Sequence, residues 1–409
     1  MSSTPVTTEG HDQRDDSPVV QAPRVKIELE DLVHVGPGTV CGDYLRTFWH
    51  PVLIADSLEA GRAKPMRVLG ENFTLYRGES GDFHSVAYRC AHRGTLLATG
   101  WIEGEEIRCR YHGWKYDAQG SCVEQPEEDE RFAARIKLRS YPTQEYLGLV
   151  FVYLGEGAAP ELPRYRDFEE EGETVLVKRN SYTWPCSFFN SLENDEYHVN
   201  WVHREQLEEL GRLAAPGQLQ LSVEETDYGL LTHATGWSDP DYVQDLMFLM
   251  PYMRSWRSSE GGGFNGVASA AIAWRVPIDD ENFTSFGLQR ISGTREALAA
   301  YAAKRAAEQE DIRDLPTTKE VQEAVLRGDM TFETFPGRTH GRQFNVGDYI
   351  TQVGLGPFGL LNEENLGRSD IEVAMLRRIY RRELKAHAEG KPTKAWTAPE
   401  RLPTCQPSK

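Results

Sequence analysis

The chain has 409 residues, of which 39% are hydrophobic and 10% aromatic, enough to bury a large core over two or three domains and too apolar for a disordered protein. Its formal net charge of −18 argues against a nucleic-acid surface, which needs clustered Lys and Arg. No stretch resembles a membrane span or a secretory leader, and six cysteines are too few for a disulfide framework, so a cytoplasmic protein in a reducing compartment is expected.

Residues 1–35 begin with "MSSTPVTTEGHDQRDDSPVVQAP", polar and proline-containing, and are expected to form a disordered tail. "GPGTVCGDYLRTFWHPV" then reads as a turn, a short helix and a strand. From 36 to 160 the pattern is of short β-rich runs punctuated by Gly and Asp, including "MRVLGENFTLYRG", "FHSVAYRC" and "GLVFVYLG", which predicts a small all-β domain. A boundary is expected within 155–168. Over 161–400 strand-like runs ("TVLVKRNSYTWP", "LQLSVEETDYGLLTHATGW", "GVASAAIAWRVPID", "ENFTSFGLQRIS") accompany three helical stretches ("SLENDEYHVNWVHREQLEEL", "TREALAAYAAKRAAEQEDIRD", "SDIEVAMLRRIYRRELKAHAEG"). This mixture predicts an α+β domain with helices over an antiparallel sheet. The glycines at 261–263 lack the strand–helix setting of a nucleotide-binding loop.

Within the β-rich part, "YRCAHRG" (88–94) and "RCRYHGWKYD" (108–117) each offer one thiolate and one imidazole: Cys90 and His92, then Cys109 and His112. These are ligands for zinc or an iron–sulfur cluster. A zinc finger pairs its two Cys on one knuckle and its two His on a helix, whereas here each loop carries one of each. A [2Fe–2S] cluster with two Cys on one iron and two His on the other requires this arrangement, and neutral imidazoles raise its potential into the range of a relay. Cys41, Cys122, Cys186 and Cys405 are scattered and read as small apolar fillers or exposed thiols.

"CAHRG…CRYHGWKYD" resembles the Rieske domain of the non-haem iron aromatic ring-hydroxylating oxygenases, in their large catalytic subunit. "GPGTVCGDYLRTFWHPV", "WRVPIDDENFTSF" and "QVGLGPFGLLNEENLGRSD" are similar to segments of the phthalate-dioxygenase-like branch, so the resemblance spans nearly all of 35–400. It implies an N-terminal all-β Rieske [2Fe–2S] domain over 36–160, a C-terminal helix-grip catalytic domain with a mononuclear iron over 161–400, and a homotrimer.

Further on, "LENDEYHVNWVH" carries Asp195, His198 and His203. An Fe(II) site that activates O2 needs two imidazoles and usually a carboxylate on one face, with open positions opposite. Residues five apart lie about 140° apart on an ideal helix, so convergence on one metal requires a distortion between 198 and 203, of which a π-type bulge is one form. Taken alone, two such histidines are more simply helix residues without a metal. The Cys/His loops upstream favour the metal. Asp195 reads either as a charge in the first helical turn or, as the resemblance implies, as the carboxylate that joins the two metal centres by binding His112 of a neighbouring subunit.

The resemblance also implies a third, carboxylate ligand after Gly356-Pro357, but Leu360 and Leu361 stand at those positions. Asp348 and Glu364 are the nearby acids, each reading more simply as a surface or structural charge; alternatively the iron keeps two His ligands only. The expected activity is that of the terminal oxygenase of a multicomponent system: O2 and electrons reach the site, and a small aromatic substrate is hydroxylated. With no flavin or NAD motif, a separate flavin/NAD(P)H reductase must supply electrons, with or without a ferredoxin. The rival readings are an O- or N-demethylase or other monooxygenase and, in another class, an electron-transfer Rieske protein with an impaired iron site. "DLMFLMPYMRSW" (245–256) and "ASAAIAW" (268–274) read as pocket walls or as ordinary core, and Arg254 as an exposed residue that either meets a substrate carboxylate or equally sits in solvent.

Overall fold

The computed structural model describes residues 25–170, 174–239, 244–258, 267–338, 342–356, 363–399 and 401–402. Glycines 261–263, Leu360, Leu361, Cys405 and the first 24 residues lie outside these ranges. The expected tail is shorter than 35 residues: Leu32, Val33 and Val35 are buried, because this apolar cluster finds a place in the core beside the helix Val40–Leu45.

The first part is all β. A three-stranded sheet joins Trp49–Ile54, Leu149–Tyr153 and Thr143–Tyr146. A four-stranded sheet joins Arg62–Val68, Glu71–Arg77, Phe83–Ala87 and Ser140–Tyr141. A second four-stranded sheet, of Trp101–Glu103, Glu106–Arg108, Lys115–Tyr116 and Cys122–Glu124, carries a separate small core around Ile107, Trp114 and Tyr116. The hairpin between Arg62–Val68 and Glu71–Arg77 turns at Leu69 and Gly70, both at positive φ, as a two-residue hairpin turn requires. Docking offsets the conformational cost at Leu69: its side chain is fully buried, and the N–H groups of Leu69 and Gly70 donate to Pro277 and Ile278 at 2.9 and 2.8 Å.

The second part is an antiparallel seven-stranded sheet. In chain order its strands are β1 (Val175–Trp184), β2 (Gln220–Glu225), β3 (Gly229–Thr235), β4 (Gln244–Leu249), β5 (Met253–Ser258), β6 (Ala268–Pro277) and β7 (Phe283–Ser292), arranged β1-β7-β6-β5-β4-β3-β2. Four runs expected as strands form β1, β2 with β3, β6 and β7. The segments expected as pocket walls supply β4, β5 and β6. Alternation splits the two faces. Trp274 faces the first part and meets Phe151 and Tyr165 edge-on at 5.8 and 5.7 Å, so one apolar core runs through both parts.

Helices cover the other face. The stretch expected as one helix over 191–210 is three short ones, α1 (Phe188–Leu192), α2 (Glu196–Val202) and α3 (Arg204–Glu209). They are followed by α4 (Arg295–Asp311), α5 (Thr318–Arg327), α6 (Gln343–Gly354) and α7 (Ile371–Ala388). A Thr317/Glu320 capping box starts α5, and left-handed Gly328 ends it. In α7 Val373, Leu376, Tyr380 and Leu384 recur at helical spacing and face the core. The architecture is therefore α+β, with helices gripping one side of an antiparallel sheet.

Candidate metal centres

The loops of Cys90 and Cys109 are built alike. The Cys90 N–H donates to Thr95 O, and Gly94 N–H returns to Cys90 O; the Cys109 N–H donates to Trp114 O, and Gly113 N–H returns to Cys109 O. Each loop closes through a glycine at positive φ, 77° for Gly94 and 74° for Gly113. Both cysteines are buried, while His92 and His112 stand exposed at the tips. Their rings lie 4.6 Å apart, and His92 stacks on Trp114 at 4.5 Å. Tyr116 OH lies 3.1 Å from Cys90 Sγ. Burial, chiefly, raises the Cys90 pKa; at exposed His112 partial desolvation, with nearby His92 and Arg93, lowers it. The structure thus brings all four expected residues into one two-loop constellation, thiols inside and imidazoles outside. Cys41, Cys122 and Cys186 are buried fillers.

The second constellation joins distant segments. Asp195 caps α2: its Oδ1 accepts from the His198 N–H at 3.2 Å, and its carbonyl accepts from His198 Nδ1. The expected distortion falls at His203, where α2 ends and α3 begins, with φ −107° and ψ 20°. The helix breaks in two; it does not form a π bulge. This break turns His203 back toward His198, at a ring separation of 5.4 Å.

The carboxylate that reads as incidental in the sequence completes the set. Asp348 on α6 places Oδ1 3.7 Å from His198 Nε2 and 3.4 Å from His203 Nε2, and the three ligand atoms lie within 4.8 Å of one another. Its one signal in the sequence is Gly347. A glycine inside a helix costs stability, and here a Cβ would sit 2.7 Å from Val202 Cγ1, so only glycine lets α6 approach α2 this closely. Burial holds His198 neutral, its pKa lowered to about 4, as ligation requires. Burial alone would raise the Asp348 pKa, but contact with His203 and the field of both histidines bring it below the usual range. Burial raises the Asp195 pKa to about 6, with Glu372 adding to it.

Glu364 stands outside this group, as the structural charge it reads as in the sequence: it accepts from Arg377, which also clamps Glu193 at 2.7 Å. Arg254 is buried, not exposed: it donates to Glu372 at 2.7 Å, to Leu192 O at 2.9 Å and to Asn194 O. A buried guanidinium needs such a full set of partners. Together Arg254 and Arg377 hold the turn at Leu192–Asn194 that delivers Asp195 and His198.

Among the described residues no helix is long and apolar enough to cross a membrane. Residues 48–142 match the Rieske [2Fe-2S] domain. Over 384 residues the chain is 30% identical to the phenoxybenzoate dioxygenase subunit alpha of Ectopseudomonas oleovorans, covering 88% of this chain and 85% of that one. It is 29% identical to the 5,5'-dehydrodivanillate O-demethylase oxygenase subunit of Sphingobium sp., over 90% of this chain and 82% of that one. The solved terminal oxygenase of carbazole 1,9a-dioxygenase from Novosphingobium sp. KA1 shares the fold, with a TM-score of 0.57 at 18% identity over 86% of this chain and 94% of that one. The chain belongs to the Rieske non-haem iron oxygenases, as an oxygenase subunit.

Proposed function

We propose that Cys90, His92, Cys109 and His112 hold the [2Fe–2S] cluster of this oxygenase, and that His198, His203 and Asp348 hold its mononuclear iron. The residues fit both groups. The observation that carries this reading is the convergence of two shielded imidazoles on Asp348, whose Oδ1 is buried without a hydrogen-bond partner, as a metal ligand would be in the absence of its ion. The two metal groups supply one-electron relay and O2 activation, respectively.

The polypeptide's own part is to bind, orient and connect. Asp195 fixes the His198 ring through its carbonyl, and its carboxylate is the bridge to His112 of a neighbouring protomer. Exposed aromatic side chains at both ends support a protein–protein contact there: Tyr111 and Trp101 beside the His tips, and Trp201 on α2. The assembly is a homotrimer in the cytoplasm, and the domains are 36–160 for the cluster and 161–400 for the iron. Electrons come from a separate flavin/NAD(P)H reductase, directly or through a ferredoxin. The substrate is a small aromatic compound, in keeping with the names of the relatives; hydroxylation or O-demethylation both suit the same ligands.

Purified protein should be reddish-brown and contain two cluster irons and one mononuclear iron per chain. With a matched reductase it should consume O2 and convert an aromatic acid or methoxyarene. A full cluster with no mononuclear iron would reduce the protein to an electron carrier and overturn the assignment of Asp348.

A further inference from the structure

The aromatic side chains around the candidate iron site are of two kinds. On one side the His203 ring packs on Phe344 at 4.6 Å, and phenylalanine resists oxidation. On the other, Tyr349 directly follows Asp348 in α6, so its ring hangs from a Cα about 3.8 Å from that of Asp348. Tyr349 meets Trp184 edge-on at 5.5 Å, and Trp184 meets Tyr182 at 4.7 Å. Tyr349 and Trp184 are buried, whereas Tyr182, two residues back along β1, is half-buried. Strand β1 is an edge of the seven-stranded sheet. A run of phenol, indole and phenol therefore leads from the candidate ligand Asp348 to the margin of the domain.

Packing alone does not require this run. Phenylalanine would fill the same places, as Phe283 does beside Trp184 at 5.9 Å, with no hydroxyl to accommodate. What tyrosine and tryptophan add is easy one-electron oxidation, and rings this close pass an electron in short steps. An oxygenase has a use for such a route. O2 that has accepted two electrons stands at the oxidation level of peroxide. When no substrate takes it up, the imidazoles beside it are the first groups at risk.

We propose that Tyr349, Trp184 and Tyr182 form an electron route that disarms this oxidant when substrate is missing, and so spares His198 and His203. In each passage Tyr182 gives up one electron, its O–H bond breaks, and the proton goes to water. Trp184 and Tyr349 each pass one electron inward, regain one from outside, and end unchanged. The Tyr349 phenolic proton leaves toward Glu323 of α5, whose charge acts on that phenol, and then returns. Two passages supply the two electrons, and release the two protons, that turn one peroxide into two waters. A soluble reductant such as ascorbate restores Tyr182 by returning a hydrogen atom. This rests on the ligand assignment above and gives the surroundings of that site a second task.

The test mixes the coloured, iron-replete protein with hydrogen peroxide in the absence of aromatic substrate. Freeze-quenched EPR spectra report radicals, and peptide mass spectrometry reports the sites of added oxygen. In wild type a phenoxyl signal should form and oxygen should gather at Tyr182, with His198 and His203 spared; ascorbate should suppress both signal and label. Protein stripped of its mononuclear iron should leave Tyr182 unlabelled. Trp184→Phe should lower Tyr182 labelling to that same level and move oxidation to Tyr349, His198 and His203, with faster loss of iron. If Trp184→Phe does not retain its cluster and iron, Tyr182→Phe at the half-buried end replaces it, and its radical should stay on Trp184 or Tyr349 and outlast ascorbate. The proposal is overturned if Tyr182 is labelled as fully without the iron or in Trp184→Phe, or if the label gathers instead at Tyr197 or Trp201. It is overturned equally if Tyr182→Phe leaves the signal and the damage to the histidines unchanged. Iron content, read first, separates the two readings: an iron-poor wild type defeats the ligand assignment and the route with it, whereas an iron-replete wild type with Tyr182 unlabelled defeats the route alone.

Discussion

The two constellations differ in how they are encoded. The cluster loops are local: each spans six residues from Cys to its closing hydrogen bond, with its own glycine at positive φ. The proposed mononuclear site is assembled from α2 and α6, whose candidate ligands are separated by well over a hundred residues, and only tertiary packing brings Asp348 to the histidines. A locally closed loop announces its chemistry in the sequence. A site made by the approach of two helices announces only the half that happens to be contiguous.

The sharpest way to separate the two is to remove one ligand from each. Cys109→Ser should abolish the visible spectrum. Asp348→Asn should leave that spectrum intact, deplete the mononuclear iron, and lower turnover by more than about 100-fold, since even outer-shell changes reach that scale. Metal analysis alongside the spectrum decides it; loss of colour in Asp348→Asn would mean that the two centres do not fold independently.

Arg254 tests the scaffold behind the iron site. Arg254→Ala leaves Glu372 buried without its partner and frees the carbonyls of Leu192 and Asn194. A broken buried pair costs about 3–5 kcal/mol, so denaturant midpoints should fall, and iron should leave more readily than the cluster. Equal loss of both would place the damage in the shared core.

His50 tests that shared core directly. Its ring lies between the two parts, with Nδ1 against Tyr252 OH, and burial lowers its pKa from 6.5 to about 3. A depressed folded pKa means that the neutral ring is favoured in the fold. The contribution is therefore complete above pH 6.5 and declines as pH falls toward 3, by about 1.4 kcal/mol per unit. Unfolding midpoints of wild type and His50→Asn, compared from pH 7 to 5, should converge as pH drops. Parallel curves would show that the ring is not what titrates.

How much is legible in the sequence divides along the same line. The all-β first part, four of the strand-bearing runs and the helix over 371–388 can be read from alternation and helical periodicity, because their apolar faces repeat. The four residues proposed for the cluster, and the histidine pair proposed for the iron, are picked out by residue type and spacing. Asp348 is not: α6 carries no acid-bearing motif, the expected ligand position holds Leu360, and the one clue is a glycine within a helix. Arg254 misleads for a related reason. Arginine is usually exposed, and nothing in its neighbours reveals that Glu372, more than a hundred residues away, folds onto it. The clue in α6 can itself be tested: Gly347→Val adds a Cβ 2.7 Å from Val202 Cγ1. Overpacking of this kind costs about 1–3 kcal/mol, so iron affinity should fall while the visible spectrum holds; unchanged affinity would show that α6 can shift without moving Asp348.

The smallest effects should come from the cluster loops themselves, where two glycines share a conformation but not an environment. An alanine at either position costs about 1–2 kcal/mol for left-handed backbone. At Gly94 the nearest atom to a new Cβ is Arg89 Cδ at 4.0 Å, a flexible side chain. At Gly113 it is Pro126 Cγ at 3.1 Å, part of a rigid ring. Gly113→Ala should therefore bleach at a lower temperature than Gly94→Ala, with both below wild type, when absorbance is followed on heating. If the two variants bleach together, backbone conformation alone sets the tolerance of these loops, and the packing around the second one contributes nothing.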